Sequence, residues 1–341
     1  MTSRRTEASG PADLARCGLH CYCPTARRTP HSLIGEGTNG RLLYVARHGV
    51  DRQGLRAAGL APSDAQLATL VEFGLLRVLD GRFRTAFPVL DDADTTLLRR
   101  RLRPVGQALA ERLTPSVREL GDELGRQGLA GSSYAVVFGH ALDGLLWHQL
   151  DATGALPDTT LSADRPWWNG AFWAVYPPRA DAAGTNFVAC GPATLVMVWS
   201  AATLDRLDAL APAPGLRPAI LGLLSDDPAA EHGITDGTGR YWRLRQPDGR
   251  PAVPVLGVDG RADRIAERVA GLVATELTGI RVAAAAAHVP GETPVRTVIV
   301  AHELIWQITE ALVASGAVVP PECVGGSRPG DTPTELLFVL R

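Results

Sequence analysis

The stretch VDRQGLRAAGLAPSDAQLATLVEFGLLRVLDGRFRTAFPVL, residues 50–90, carries the strongest local structural signals in the chain. Residues 51–60 read as a short helix with Leu55 and Ala58 apolar, ended by Gly59 and by Pro62 just beyond. Ser63-Asp64-Ala65-Gln66 is a capping box, in which the serine hydroxyl accepts from the third backbone amide and the glutamine reaches back to the serine amide. Leu67, Leu70, Val71 and Leu75 then recur at three- and four-residue spacing, so one helical face turns inward, and Gly74 marks the stop. Residues 76–79, Asp80-Gly81 and residues 82–90 spell strand, tight turn, strand.

Helix, short turn, capped helix and hairpin, in that order, resemble the winged helix-turn-helix domain of transcription regulators, with residues 70–76 and Asp80-Gly81-Arg82-Phe83 carrying most of the likeness. The resemblance covers under a quarter of the chain. It implies double-stranded DNA as partner, with Ser63, Asp64, Gln66 and Thr69 of the second helix facing base edges in the major groove. Phosphate contacts then fall to Arg47, Arg52 and Arg56 around the first helix and to Arg77, Arg82 and Arg84 on the hairpin. Arg82 and Arg84 alternate with Phe83, so both guanidinium groups point to one face, as a wing reaching a minor groove requires. The second helix departs from the usual pattern: it has no arginine, and Asp64 and Glu72 are acidic. That departure keeps a protein-docking winged helix open as an alternative.

Upstream, residues 1–40 are rich in Arg, Thr, Ser, Pro and Gly without apolar periodicity, which predicts a disordered tail. Gly35-Glu36-Gly37-Thr38-Asn39-Gly40 matches G-x-G-x-x-G, but neither a buried strand before it nor a helix after it is predicted; Leu42-Leu43-Tyr44-Val45 reads as a strand. Cys17, His20, Cys21 and Cys23 form a tight set whose spacing fits no familiar zinc pattern, and ligands one residue apart leave an extended chain on opposite sides. No metal site is assigned to it. Downstream, residues 91–94 are an acidic helix start, the arginines of 99–103 read as a solvated face, and helices to Gln127 are interrupted at Pro104 and Pro115. They form a connector or dimer arm.

Composition excludes much chemistry. All 34 basic residues are arginine. Without lysine there is no Walker phosphate loop, no protein-kinase active site and no pyridoxal or Schiff-base enzyme. Abundant Gly, Pro and Ala, three Asn and eight Ile point to a GC-rich coding bias behind that absence, with escape from a lysine-modifying system or tolerance of reactive aldehydes as the functional alternative. A net charge of −2 gives no general attraction to polyanions, so a nucleic-acid surface must be local. Five cysteines, with Cys190 and Cys323 far from the rest, form no disulfide framework, and the most apolar run, 134–150, is broken by His140, Asp143 and His148. No membrane span and no export signal are predicted, and the expected location is the cytoplasm.

All seven tryptophans lie beyond residue 128. Residues 133–150 read as a buried helix in which His140, Asp143, Trp147 or His148, and Asp151 share a stripe. That stripe defines the enzyme alternative, an acid/base or metal site at His140, Asp143 and His148, against satisfied core groups. Trp167, Trp168, Phe172, Trp173 and Tyr176 cluster before Pro177-Pro178, and the candidate ligand pocket is Asp143, Trp147, Trp168, Trp173 and Tyr176. Strands are expected at 172–176, 195–199 and 336–340, a hairpin at 241–244 and 253–258 through Asp248-Gly249, and helices at 262–275 and 295–315. His302-Glu303 begins an H-E-x-x-H helix, but Trp306 occupies the second histidine position.

The expected fold class is α+β: a disordered tail over 1–40, a winged helix with connector helices over 41–127, and a mixed domain over 128–341. The expected function is a homodimeric DNA-binding regulator whose mixed domain binds a small-molecule effector or partner. No catalytic residue, metal or cofactor is assigned.

Overall fold

A computed structural model describes residues 13–225, 233–257, 260–321 and 334–341. Residues 1–12 of the expected tail, Val258 and Cys323 lie outside the described residues. The chain is mixed, 49% helical and 17% strand, with several small sheets, as an α+β class requires.

In chain order the elements are β1 (Gly18–Tyr22), α1 (His31–Ile34), α2 (Asn39–Ala46), α3 (Arg52–Ala57), α4 (Asp64–Glu72), β2 (Leu76–Leu79), β3 (Arg82–Thr85), β4 (Val89–Leu90) and α5 (Asp92–Arg126). Then come α6 (Ser133–Ala135), a π-helical stretch (Val136–Leu145) and α7 (Leu146–Ala152) as one continuous rod, β5 (Ala171–Val175), β6 (Ala183–Cys190) and β7 (Ala193–Ser200). After these follow α8 (Leu204–Leu210), α9 (Leu216–Leu224), β8 (Gly233–Thr235), β9 (Tyr241–Arg243), β10 (Val255–Leu256), α10 (Arg261–Leu277), α11 (Ile280–Ala286), α12 (Thr293–Ala314) and β11 (Leu337–Leu340).

Two compact units share the chain. The first comprises Met1–Arg103, Gly154–Arg179 and Ile280–Glu303. Its sheet has the order β1-β5-β4, with β1 antiparallel and β4 parallel to β5. Leu42, Leu43, Leu55, Leu67, Leu70 and Leu76 bury the inner faces of α2 to β2 in one apolar cluster with Trp168 and Phe172. Within this unit, residues 13–46 depart from expectation. β1 pairs along its length with β5, Leu14 is fully buried, and Leu42–Val45 lies in α2. Leu42, Leu43 and Ala46 recur at helical spacing and are buried, which is what decides helix over strand here.

The second unit comprises Pro104–Thr153, Ala180–Gly279 and Leu304–Arg341. Its sheet runs β10-β11-β7-β6, with only the β10/β11 pair parallel. The π-helical stretch lies against this sheet, and a Cβ on Gly139 would come within 2.6 Å of Val198 and 3.0 Å of Phe338. On the other side Trp242, Leu207, Leu216 and Ile220 close a second apolar core. The expected hairpin closes only next to Asp248-Gly249, where Arg245 bridges Pro251 antiparallel and Ala252 N donates to Leu244 O at 2.8 Å; beyond that, β9 pairs with β8 and β10 with β11.

α5 runs unbroken through Pro104 and Pro115. An interior proline costs a helix about 3 kcal/mol. Against that cost, Leu98, Leu102, Val105, Leu109, Leu113, Val117, Leu120 and Leu124 bury a continuous stripe, each worth about 1.5–3 kcal/mol when fully buried. α12 is long and apolar enough to cross a membrane by length and composition, and 67% of its most apolar window is buried inside the protein.

Candidate functional site

Asp51 caps α3, its Oδ1 accepting from Gly54 N at 2.7 Å, and Ser63 caps α4, its Oγ accepting from Gln66 N at 3.1 Å. The reciprocal half of the capping box is not made. Gln66 Nε2 donates instead to Asn39 Oδ1 at 2.7 Å and to Thr38 Oγ1 at 3.3 Å, tying the start of α4 to the start of α2. Thr69 Oγ1 donates to Ala65 O. Of the residues expected to face bases, Ser63, Gln66 and Thr69 thus already hold local hydrogen bonds. Arg52 pairs with Asp64 and lies 5.8 Å from the Phe83 ring centroid, while Arg56 is exposed.

The hairpin turns at Asp80 and Gly81 with φ of 50° and 73°, the pair of positive angles that a two-residue turn demands and that asparagine, aspartate and glycine supply. Val50 bridges Phe83 by hydrogen bonds of 2.9 and 2.7 Å, fixing the hairpin to the start of α3. Register places Arg77 opposite Arg84 and Leu79 opposite Arg82. The period of two therefore puts Arg77, Arg82 and Arg84 on one exposed face. Arg82 Nη2 donates to Gly49 O at 2.8 Å. Among the described residues neither Arg77 nor Arg84 has an ion-pair partner. Two like charges directly across a ladder destabilise it by about 0.2–1 kcal/mol, so folding alone does not account for them.

The glycine-rich segment does not build a phosphate cradle. A Cβ at Gly40, in the first turn of α2, would lie 2.2 Å from Asp13 Oδ1. A carboxylate thus already sits beside this turn, where it would repel a phosphate.

The candidate pocket residues divide between the units. Trp168, Trp173 and Tyr176 belong to the first, so the aromatic-rich segment is not part of a separate C-terminal domain. Trp168 Nε1 donates to Phe73 O at 2.8 Å, and the cleft beside it, lined by Glu72, Arg165 and Trp167, holds about 10 Å³, room for one water. In the second unit the expected stripe separates. The wider π turn sends His140 to Asp263, Nε2 to Oδ1 at 3.1 Å, and Asp143 to Thr185 and Trp147, which donate to its two oxygens at 2.7 and 3.1 Å. Burial raises the Asp143 pKa against those two bonds, and His148 is exposed. Among the described residues no set of three His, Cys, Asp or Glu side chains converges as a metal site.

The sequence reading missed the most buried charge in the first unit. Glu303, 1% exposed, accepts from Arg99 Nε at 2.9 Å and Arg179 Nη1 at 3.3 Å, so Arg99 is not part of a solvated face. Beside it His20 packs against His302 at 4.3 Å and stacks on Trp173 at 5.5 Å between ring centroids. Burial first, then His302, lowers the His20 pKa to about 2; burial first, then Arg179 and Arg99, lowers that of His302 to about 3. Only the adjacency of His302 and Glu303 on an apolar helix hinted at this cluster. His20 thereby leaves the cysteine set, its ring turned to the opposite side of β1 from Cys21.

Compared with known protein families, curated proteins and solved structures, the chain matches none of them.

Proposed function

We propose that residues 50–90 form a winged helix-turn-helix that binds double-stranded DNA, and that the protein is a homodimeric transcriptional regulator acting in the cytoplasm. The order α3, α4, β2, β3 agrees with the resemblance, and one observation carries the reading to DNA: Arg77, Arg82 and Arg84 share an exposed hairpin face, and among the described residues no acid pairs with the first and last. Phosphates would supply the missing counter-charge. Arg56 extends the positive surface along α3, whereas Arg52 is already paired with Asp64. Two copies suit the task, because one such domain covers too little DNA for useful specificity. The second unit is then the place for an effector or partner.

Substituting Arg77 and Arg84 together by alanine tests this while leaving the Arg82 bond to Gly49 in place. Each phosphate contact contributes a slope of about 0.9 in log K against log salt, so the double variant should lose affinity uniformly across sequences and flatten the slope by about 2. Unchanged affinity and slope would refute the wing contact.

A protein-docking winged helix is the competing reading, favoured by Val71, Val78 and Leu79, which are 39%, 53% and 50% exposed on α4 and the hairpin. In that reading Val78 and Leu79 changed to serine abolish partner capture, and the arginine variants do not.

A further inference from the structure

Cys21 and Cys23 stand two residues apart on an extended chain, so both side chains leave the same side of β1. β1 is an edge strand of its sheet, and Cys21 is exposed there. Cys23 is half-buried, and its Sγ donates to Ala171 O at 3.4 Å. The neighbouring Cys23 thiol lowers the Cys21 pKa, and the neighbouring Cys21, then burial, raises that of Cys23. The two remaining described cysteines differ. Burial, then Asp13, pushes Cys17 up to about 11, and burial raises Cys190.

Strand geometry sets residues i and i+2 about 6.4–6.8 Å apart at Cα, at the upper end of the span of about 4.4–6.8 Å that a disulfide bridges. Cys23 lies one residue past the end of β1, outside the ladder, in a turn where its carbonyl accepts from Ala26 N at 3.1 Å, and closing the remaining gap falls to this turn.

We propose that Cys21 and Cys23 form a reversible dithiol–disulfide site for hydrogen peroxide and related two-electron oxidants, with Cys21 attacking and Cys23 resolving. The Cys21 thiolate attacks one peroxide oxygen: an S–O bond forms, the O–O bond breaks, and the departing hydroxide takes up a proton as water. Cys23, having given up its proton, then attacks the Cys21 sulfur. The S–S bond forms, the S–O bond breaks, and a second water leaves. Two thiols are oxidised and one peroxide is reduced. This site stands independently of the DNA-binding reading.

The chain contains no lysine, so trypsin cuts only after arginine and releases residues 17–27 as one peptide holding Cys17, Cys21 and Cys23. The full-length protein is treated with one equivalent of hydrogen peroxide, alkylated, digested and sequenced by mass spectrometry. The peptide is expected to lose two hydrogens, with Cys17 still alkylated, and to recover both thiols with dithiothreitol. Without oxidant, Cys21 should alkylate at least about tenfold faster than Cys17. In Cys23→Ser the reaction should halt at a Cys21 sulfenic acid trapped by dimedone; in Cys21→Ser peroxide consumption by this peptide should be lost. Preferential oxidation of Cys17, a Cys21 thiol no faster than Cys17, or irreversible over-oxidation of Cys21 in the native chain would each overturn the proposal.

Discussion

Glu303 concentrates the electrostatics of the first unit in one residue. Its carboxylate is removed from water and is stable there because Arg99 and Arg179 donate to it. Changing Glu303 to Gln removes the buried carboxylate charge that both guanidinium groups contact, a loss of about 3–5 kcal/mol for a broken buried pair, read as a lower urea midpoint. A shift below about 1 kcal/mol would place the pair among exposed ones. His20 and His302 make a pH prediction at the same scale. Folded, they are neutral down to about 2 and about 3, whereas unfolded they protonate near 6.5. The unfolded chain therefore binds more protons below that value, so stability is full above about pH 6.5 and falls as pH drops, by up to about 1.4 kcal/mol per unit for each ring. Urea midpoints at about pH 7.5 and about pH 5.5 should differ accordingly, and His20→Gln should shrink the difference. Equal midpoints would contradict the buried neutral state.

Among elements, the hairpin and α5 make opposite predictions about cost. Replacing Arg77 by Glu turns a like-charge pair opposite Arg84 into an attractive one, so stability should rise by about 0.2–1 kcal/mol while DNA affinity falls. A variant that lost both would mean that Arg77 supports the fold. On α5, a Cβ at Gly106 would come within 2.6 Å of Gln307 Cβ and 3.1 Å of its backbone, whereas nothing lies within 4 Å of one at Gly121. Gly106→Ala should cost about 1–3 kcal/mol and Gly121→Ala should gain about 0.5–1 kcal/mol, measured by thermal unfolding.

The elements that could be read in advance are those set by local rules. α4 carries its Ser63 cap and apolar period, the Asp80-Gly81 turn its dipeptide, and α10, α12 and β11 their patterning. What escaped reading depends on distant partners. β1 needs β5 from more than a hundred residues away, and Gln66 forgoes the capping box for Asn39. The separation of His140 from Asp143 needs a π turn that no spacing rule signals. The candidate DNA surface was legible as a set of arginines, while the opposition of Arg77 to Arg84 came only with the register.

For the whole molecule, the units interleave along the chain, and the change of texture near residue 128 does not mark a boundary. The first unit needs residues 154–179, which supply β5 between β1 and β4 and bury Trp168 and Phe172 in its core. A fragment of residues 1–127 should therefore show no cooperative thermal transition, even though it contains all of residues 50–90. A sharp melt of that fragment would show that residues 50–90 with their flanks fold unaided. DNA recognition by residues 50–90 is read out by incubating the purified full-length protein with fragmented genomic DNA at near-physiological salt and sequencing what stays bound. Enrichment of a short two-fold symmetric site, lost in the Arg77 and Arg84 double variant, is the expected result; uniform retention of all fragments, or none, would refute DNA recognition.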